Sequence, residues 1–308
     1  MIRGHGIRAR VRHQLLQTAR RALSDRGFYV LEKRYDLPIP DEDDLGRGFW
    51  ASESKLVGVE LNDEAALALA RDVVASYRPE FAERFPLHAT PDSRFHLING
   101  AFMAVDAHVY YALIRHFQPG RVVEIGAGYS TLVAAEALAR NAEDRGRRGD
   151  LAAIDPYPPS FLKDGVPGLG SLLVQKVQQA DLDLFTTLAS GDVLFIDSSH
   201  VLRSGGDVQY EYCEILPRLA GGVLVHVHDV SLPVPYPRVY FESGLYWNEQ
   251  YVLQAFLTFN PRFEVLWPAT YMARRHPGVV AELFPEVEDM RAVYPQAEPS
   301  SFWMRVRE

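Results

Sequence analysis

Residues Arg121 to Thr131 read RVVEIGAGYST, and the fold follows from that run. Val122, Val123 and Ile125 are β-branched and apolar, as in a strand buried on both faces of a parallel sheet. Gly126 and Gly128 come directly after it; without a Cβ they allow a sharp turn and the close approach of a ligand. Ser130 and Thr131 then open a helical stretch whose first N–H groups have no partner inside the helix and point at whatever fills the turn. Strand, glycine turn and helix together make a nucleotide-type binding loop.

Working outward, six further strands are expected. They cover Leu151 to Ile154, Leu172 to Val177, Asp192 to Ile196, Val223 to Val227, Phe263 to Trp267 and Phe302 to Val306. Helical stretches alternate with them: to about Asn141 after the glycine loop, Asp181 to Leu188, Asp207 to Leu219, and, after Tyr246-Trp-Asn-Glu-Gln, to about Phe259. Such alternation implies an α/β fold, with a doubly wound, mostly parallel, seven-stranded Rossmann-like sheet over residues 95–308. Residues 1–94 are expected to form a mainly helical or irregular extension, serving as a cap or for dimerisation. In it, Asn62 and Asp63 offer an N-cap to a helix through Ala65 to Tyr77, and the prolines and acids between Leu37 and Asp44 would interrupt any long helix. Seven arginines between Arg3 and Arg26, beside Val11, Leu15, Ala19 and Leu23, mark a basic amphipathic helix suited to packing on the main domain or a second subunit. No internal repeat is visible.

Composition narrows the class. A net charge of −8 argues against a general nucleic-acid binder, because phosphate neutralisation needs a basic surface. A single cysteine, Cys213, excludes intrachain disulfides and Cys-rich zinc sites, which suits a reducing cytoplasm; its place in a helix predicts a buried, inert thiol. No apolar stretch approaches a membrane span and no signal-peptide core is evident, so no stable membrane association is expected.

The residues after the turn decide the kind of nucleotide. A dinucleotide fingerprint needs a third glycine three residues after Gly128, and Thr131 stands there. What remains is Glu124-x-Gly126-x-Gly128 with Asp155 ending the next strand. This resembles the first two motifs of class I S-adenosylmethionine-dependent methyltransferases. Phe195-Ile-Asp-Ser-Ser-His200, the strand ending His228-Asp229 and the Trp247-Asn-Glu-Gln-Tyr run are similar to a bacterial subfamily close to metal-dependent small-molecule O-methyltransferases. The resemblance covers roughly Phe95 onward. It implies S-adenosylmethionine held by Glu124, Gly126, Gly128, Ser130, Thr131, Asp155 and Asp197, with Asp155 accepting both ribose hydroxyls.

Asp155, Asp197 and Asp229 all end strands, where open α/β sheets bind ligands. The resemblance gives Asp197 and Asp229 as metal carboxylates, with His200 where a proton acceptor sits. Two carboxylates and waters suit magnesium, whereas ligation by His200 or His228 favours manganese, iron or zinc. The bland alternatives are an Asp197 that holds the methionine amino group or caps its turn, and a His200 bonded only to backbone. His226, deeper in the strand, reads as a satisfied core residue. Tyr236, Trp247 and Glu249 are expected to face the acceptor from a lid, with packing alone as their alternative. Asn248 reads as a helix cap.

The sequence therefore predicts a methyltransferase acting on a small hydroxylated metabolite, a saccharide or natural product, with His200, Asp197 and Asp229 catalytic. A metal-free N-methyltransferase on a small amine and a non-catalytic cofactor-binding protein are the rivals. A homodimer fits the N-terminal extension.

Overall fold

The computed structural model describes residues 23–28, 38–41, 43–146 and 149–308. The expected basic helix falls, but for its last residues, outside them. Two compact units divide the chain, Met1–Leu45 and Gly46–Glu308. In the first, the N–H groups of Arg26 and Phe28 both donate to the Leu23 carbonyl, at 3.0 and 2.9 Å.

The second unit is built on a seven-stranded sheet in the order β3-β2-β1-β4-β5-β7-β6. Its strands are β1 Arg121–Ile125, β2 Asp150–Ile154, β3 Ser171–Leu173, β4 Val193–Ile196, β5 Leu224–Val227, β6 Phe263–Pro268 and β7 Phe302–Val306. Strands β1 to β5 pair in parallel, and β7 runs antiparallel to both β5 and β6. The doubly wound α/β sheet expected from the sequence is what forms. β3 is shorter than the Leu172 to Val177 predicted, because Val177 begins a 3-10 turn, Val177–Gln179.

Side chains alternate across each strand, so every strand feeds two cores. On one face Val122, Leu151, Phe195 and Leu224 pack against Val109, Tyr110, Ala134 and Leu138. On the other Val123, Ile125, Leu194, Ile196 and Val225 meet Tyr212, Ile215 and Leu253. Five of the helices that pack on these cores frame the site. α1 runs Asp63–Ala68, then a π-helical Leu69–Val74, then Ala75–Arg84. α2 is Asp106–Phe117 and α3 is Tyr129–Arg145. α4 starts as Asp207–Tyr210 and passes through a π-helical Glu211–Ile215 into a 3-10 turn, Leu216–Arg218. α5 is Glu249–Leu257.

Asn62 caps α1 as expected, accepting from the Ala65 N–H at 3.0 Å. The compact unit begins at Gly46, however, so the boundary expected at residues 94 and 95 separates no cores. Ala66, Ala70, Val74 and Phe81 of α1 join the same cluster as α2. The Arg115 guanidinium of α2 also meets Glu80 of α1 at 2.6 Å and Asp144 of α3 at 2.6 Å. Burying an Arg with two carboxylates and the Asn141 side chain satisfies its fork of donors and locks three helices together.

Candidate active site

The glycine turn sits where β1 emerges between β2 and β4. Gly126 has φ +86°, a conformation that L side chains rarely adopt. Its N–H donates to the Ile154 carbonyl at 2.9 Å, and the Asp197 N–H donates to the Ile125 carbonyl at 2.8 Å. The turn is held from behind by Glu124. That fully buried carboxylate accepts from the Thr131 hydroxyl at 2.5 Å and the Tyr110 hydroxyl at 2.9 Å. Thr131 Oγ1 in turn accepts the Gly128 N–H at 3.1 Å, closing the loop onto the start of α3. Burial pushes the Glu124 carboxyl up to about 7, against the lowering effect of its hydroxyl donors.

A cleft of about 460 Å³ opens beside the turn. Gly126, Asp155 and Asp197 line it, joined by Tyr157, Lys176, Gln178, Ser199, Arg203 and Asp207. Asp155 braces the cleft with both oxygens, accepting from the Ala127 N–H at 3.1 Å and the Tyr157 N–H at 2.6 Å. Its remaining lone pairs are left for a pair of hydroxyls. The open space over Gly126 lies beside this carboxylate in the same cleft, so a ligand with paired hydroxyls could be held there. Of the residues expected to touch cofactor, Gly126, Asp155 and Asp197 line the cleft. Glu124, Ser130 and Thr131 do not: all three are buried, and they support the turn rather than face a ligand. Gly128 does not line the cleft either and serves as the N-cap of α3.

At the far side of Asp197 the ends of β4 and β5 converge. His200 Nε2 lies 3.2 Å from Asp197 Oδ1 and 3.6 Å from Asp229 Oδ2. One ligand atom from each of these three residues falls within 4.8 Å of the others, the reach of a single metal ion. Both His200 (φ +58°) and Asp229 (φ +54°) occupy the left-handed region, which costs on the order of 1 kcal/mol or more for a side chain with a Cβ. Such strain persists only where the surroundings over-determine it. The surroundings of His200 are Glu249, whose Oε2 meets Nδ1 at 2.9 Å, and the Trp247 ring at 4.3 Å. Burial lowers the imidazole, but hydrogen bonds to Asp197 and Glu249 and the charge of Asp229 outweigh it, holding His200 well above its ordinary 6.5.

Asp229 accepts from the Ser300 hydroxyl at 3.2 Å. Ser300 and Ser301 precede β7, and their N–H groups also hold Asp106, at the start of α2, at 2.9 and 3.0 Å. Together Asp106, Asp197, His228 and Asp229 line a second cavity of about 320 Å³, walled by Tyr240, Trp247 and Met103. His228 is buried there; burial lowers it, and the charges of Asp229, Asp197 and Asp106 raise it above its ordinary value. It stands 3.9 Å from Asp229 and outside the three-residue cluster. His226 is a core residue as read from the sequence, bonded to Ser301 Oγ at 2.9 Å and stacked on Phe195 at 4.2 Å.

Two residues expected to face the acceptor do not. Tyr236 is buried and its hydroxyl accepts the Gln250 N–H at 3.0 Å. Glu249, 1% exposed, lies behind His200 with Tyr212 donating to its other oxygen at 3.2 Å. Trp247 does line the cavity, with Tyr240 as the second aromatic wall. Asn248 is the N-cap residue of α5 as expected, but its side chain makes no capping bond and instead accepts the Leu202 N–H at 2.6 Å. Cys213 is exposed rather than buried. The π-helical stretch of α4 shifts the register so that Glu211, Tyr212 and Ile215 turn inward instead. Asp106, Lys176, Gln178, Arg203 and Ser300 carry no signal in the sequence; each joins the site through pairing or packing, which leaves no motif.

Residues 123–230 match a family model described as a methyltransferase domain. The glycine turn, the cleft and the triad all fall inside that segment, which covers well under half of the chain. A curated relative, an uncharacterized protein of Archaeoglobus fulgidus, is 33% identical over 143 residues, 44% of this chain. The chain spans 61% of that relative's length. Among solved structures, an O-methyltransferase from Bacillus cereus in complex with SAH aligns over 79% of this chain and 91% of its own, at 14% identity and a TM-score of 0.36. So loose a superposition carries no argument about this chain's site. No helix among the described residues is long and apolar enough to cross a membrane.

Proposed function

We propose that the protein is an S-adenosylmethionine-dependent methyltransferase acting on a hydroxyl group of a small metabolite, with a divalent cation at Asp197, His200 and Asp229. One observation carries the reading: Asp197 lines both the cofactor cleft and the second cavity, so a methyl donor and an acceptor would meet at its carboxylate. Gly126 leaves room for the donor, Asp155 takes its ribose, and the acceptor lies between Tyr240 and Trp247 facing Asp229. Methyl transfer is an in-line displacement, so the protein has chiefly to align the acceptor oxygen and receive its proton.

The donor set suits a metal that accepts imidazole, such as manganese, iron or zinc. The Nδ1–Glu249 bond directs Nε2 toward the two carboxylates, as a ligand histidine requires. A bound cation would lower the acceptor hydroxyl's pKa and fix its oxygen. Held as a cation between two carboxylates, His200 is a poor base, and metal loading would exchange that proton for the ion. A cation at the triad would also offset the carboxylate charges that raise His228, leaving that residue, which lines the same cavity, to take the acceptor's proton. The aromatic walls favour hydroxylated rings and sugars.

The same ion-paired His200 also supports a second reading, metal-free methylation of a small amine, because the imidazolium already partners both carboxylates without a metal. Transfer of labelled methyl groups to a panel of hydroxylated and amino acceptors, with and without a strong chelator, separates the two. Chelator-sensitive labelling of hydroxyl acceptors is expected, restored by added metal. Undiminished labelling in chelator removes the metal, and an absence of product across the panel despite tight cofactor binding leaves a non-catalytic binding protein.

A further inference from the structure

The three groups of the triad come from two loops, and one tripeptide grips both. The first loop follows β4 and carries Asp197 and His200; the second follows β5 and carries Asp229. At the start of α5, the N–H groups of Asn248 and Glu249 both donate to the His200 carbonyl, at 2.9 and 3.1 Å. The Asn248 side chain takes the Leu202 N–H at 2.6 Å, two residues further along the same loop. The Glu249 side chain holds the His200 ring through Nδ1 at 2.9 Å. Gln250 reaches the other way: its Oε1 accepts the Ser231 N–H at 2.9 Å and its Nε2 donates to the Val234 carbonyl at 3.1 Å.

These contacts explain how two left-handed residues are maintained. His200 is pinned by its carbonyl on one side and its ring on the other, so neither backbone nor imidazole can relax alone. Asp229 is followed two residues later by a backbone amide tied to Gln250. Asp197 meets the ring at Nε2 and Glu249 at Nδ1, so the imidazole is held at both ends, and Tyr212 fixes the second Glu249 oxygen at 3.2 Å. Glu249 itself lines neither cavity, so its effect on chemistry has to pass through His200.

We infer that Asn248-Glu249-Gln250 is a positioning clamp that sets the spacing between His200 and Asp229, with Glu249 orienting the imidazole. Its catalytic consequence rests on the function proposed above, whereas its structural consequence does not. The test is therefore read first by proton NMR of the metal-free full-length protein, with the ring N–H resonance of His200 assigned through H200Q. Wild type is expected to show a downfield, slowly exchanging Nδ1 proton. In E249L that resonance is lost, and in E249Q, which keeps an acceptor but no charge, it persists and moves upfield. In the methyl-transfer assay E249L should lose about 10- to 100-fold in kcat, with KM for S-adenosylmethionine held within about twofold and partial recovery in E249Q. An E249L protein that keeps both the resonance and wild-type kcat overturns the clamp. Should E249L prove unfolded by circular dichroism, E249Q decides alone: a resonance unmoved from wild type overturns it. If no variant and no wild type transfers methyl groups, the function is refuted while the NMR comparison still judges the clamp.

Discussion

A Cβ placed on Gly126 would stand 1.9 Å from the main-chain oxygen of Asp197. The turn proposed to admit the cofactor and the strand end that carries the triad are thus in direct contact through backbone, with no side chain between them to absorb a change. β1 and β4 are parallel neighbours, so the chain leaving β1 has to pass beneath the end of β4.

Gly126→Ala therefore meets both a clash and a forbidden φ. It is expected to destabilise the fold by roughly 2 kcal/mol or more and to abolish cofactor binding. Chemical denaturation alongside calorimetric titration with S-adenosylhomocysteine reads both; wild-type affinity in this variant would contradict the assignment of the turn.

Asp155→Ala removes the acceptor expected for the ribose together with the brace on Ala127. Loss of charge-assisted hydrogen bonds of about 1.5–3 kcal/mol corresponds to roughly 10- to 100-fold weaker S-adenosylhomocysteine binding. Asp155→Asn, keeping one carbonyl oxygen, should fall between. Equal affinity in all three proteins would place the ribose elsewhere.

The buried Glu124 gives a pH signature. Its folded value of about 7 lies above the 4.5 of an unperturbed carboxyl. The folded protein therefore holds a proton that the unfolded chain has already released, and stability from this group is full below about 4.5 and declines as pH rises toward 7. The shift amounts to on the order of 3 kcal/mol. Glu124→Gln cannot ionise, so urea midpoints of wild type and variant should diverge progressively across that window, with wild type losing ground as pH rises. Parallel curves would mean that Glu124 is ionised in the folded state throughout.

Tyr240 and Trp247 wall the second cavity but not the cleft. Tyr240→Ala and Trp247→Ala are expected to raise the acceptor KM about tenfold, leaving that for S-adenosylmethionine within about twofold. Trp247 also packs on His200, so its variant should lose kcat as well, whereas Tyr240→Ala should not. The reverse pattern, a raised KM for the methyl donor, would exchange the roles assigned to the two cavities.

The legible part of the sequence is its local physics. Consecutive β-branched residues, a glycine pair and acids at strand ends announce buried parallel strands and the edge where ligands bind, and Gly126, Asp155, Asp197 and Asp229 all stand there. The hidden part depends on facing. Thr131 and Glu249 look like ligand-facing polar residues in a one-dimensional reading, yet both turn inward to satisfy buried partners, Glu124 and His200. A buried polar group needs a partner, and the partner is remote in sequence: Glu249 lies forty-nine residues from His200, Ser300 seventy-one from Asp229. Nor does composition announce a π-helical turn, which decided that Tyr212 faces Glu249 and Cys213 faces water.

The reversed strand β7 carries one more implication. It enters between β5 and β6, and the two serines just before it close the cavity at Asp229 and Asp106. Every residue of the cofactor cleft, by contrast, lies between Ile125 and Asp207. The two sides of the site therefore differ in how far along the chain they reach: the cleft is complete in one continuous segment, whereas the cavity beyond Asp197 needs residues that follow β6. On the function proposed, the residues that receive the methyl donor are near neighbours in the chain, and those that close on the acceptor are brought together only by the return of β7 into the sheet.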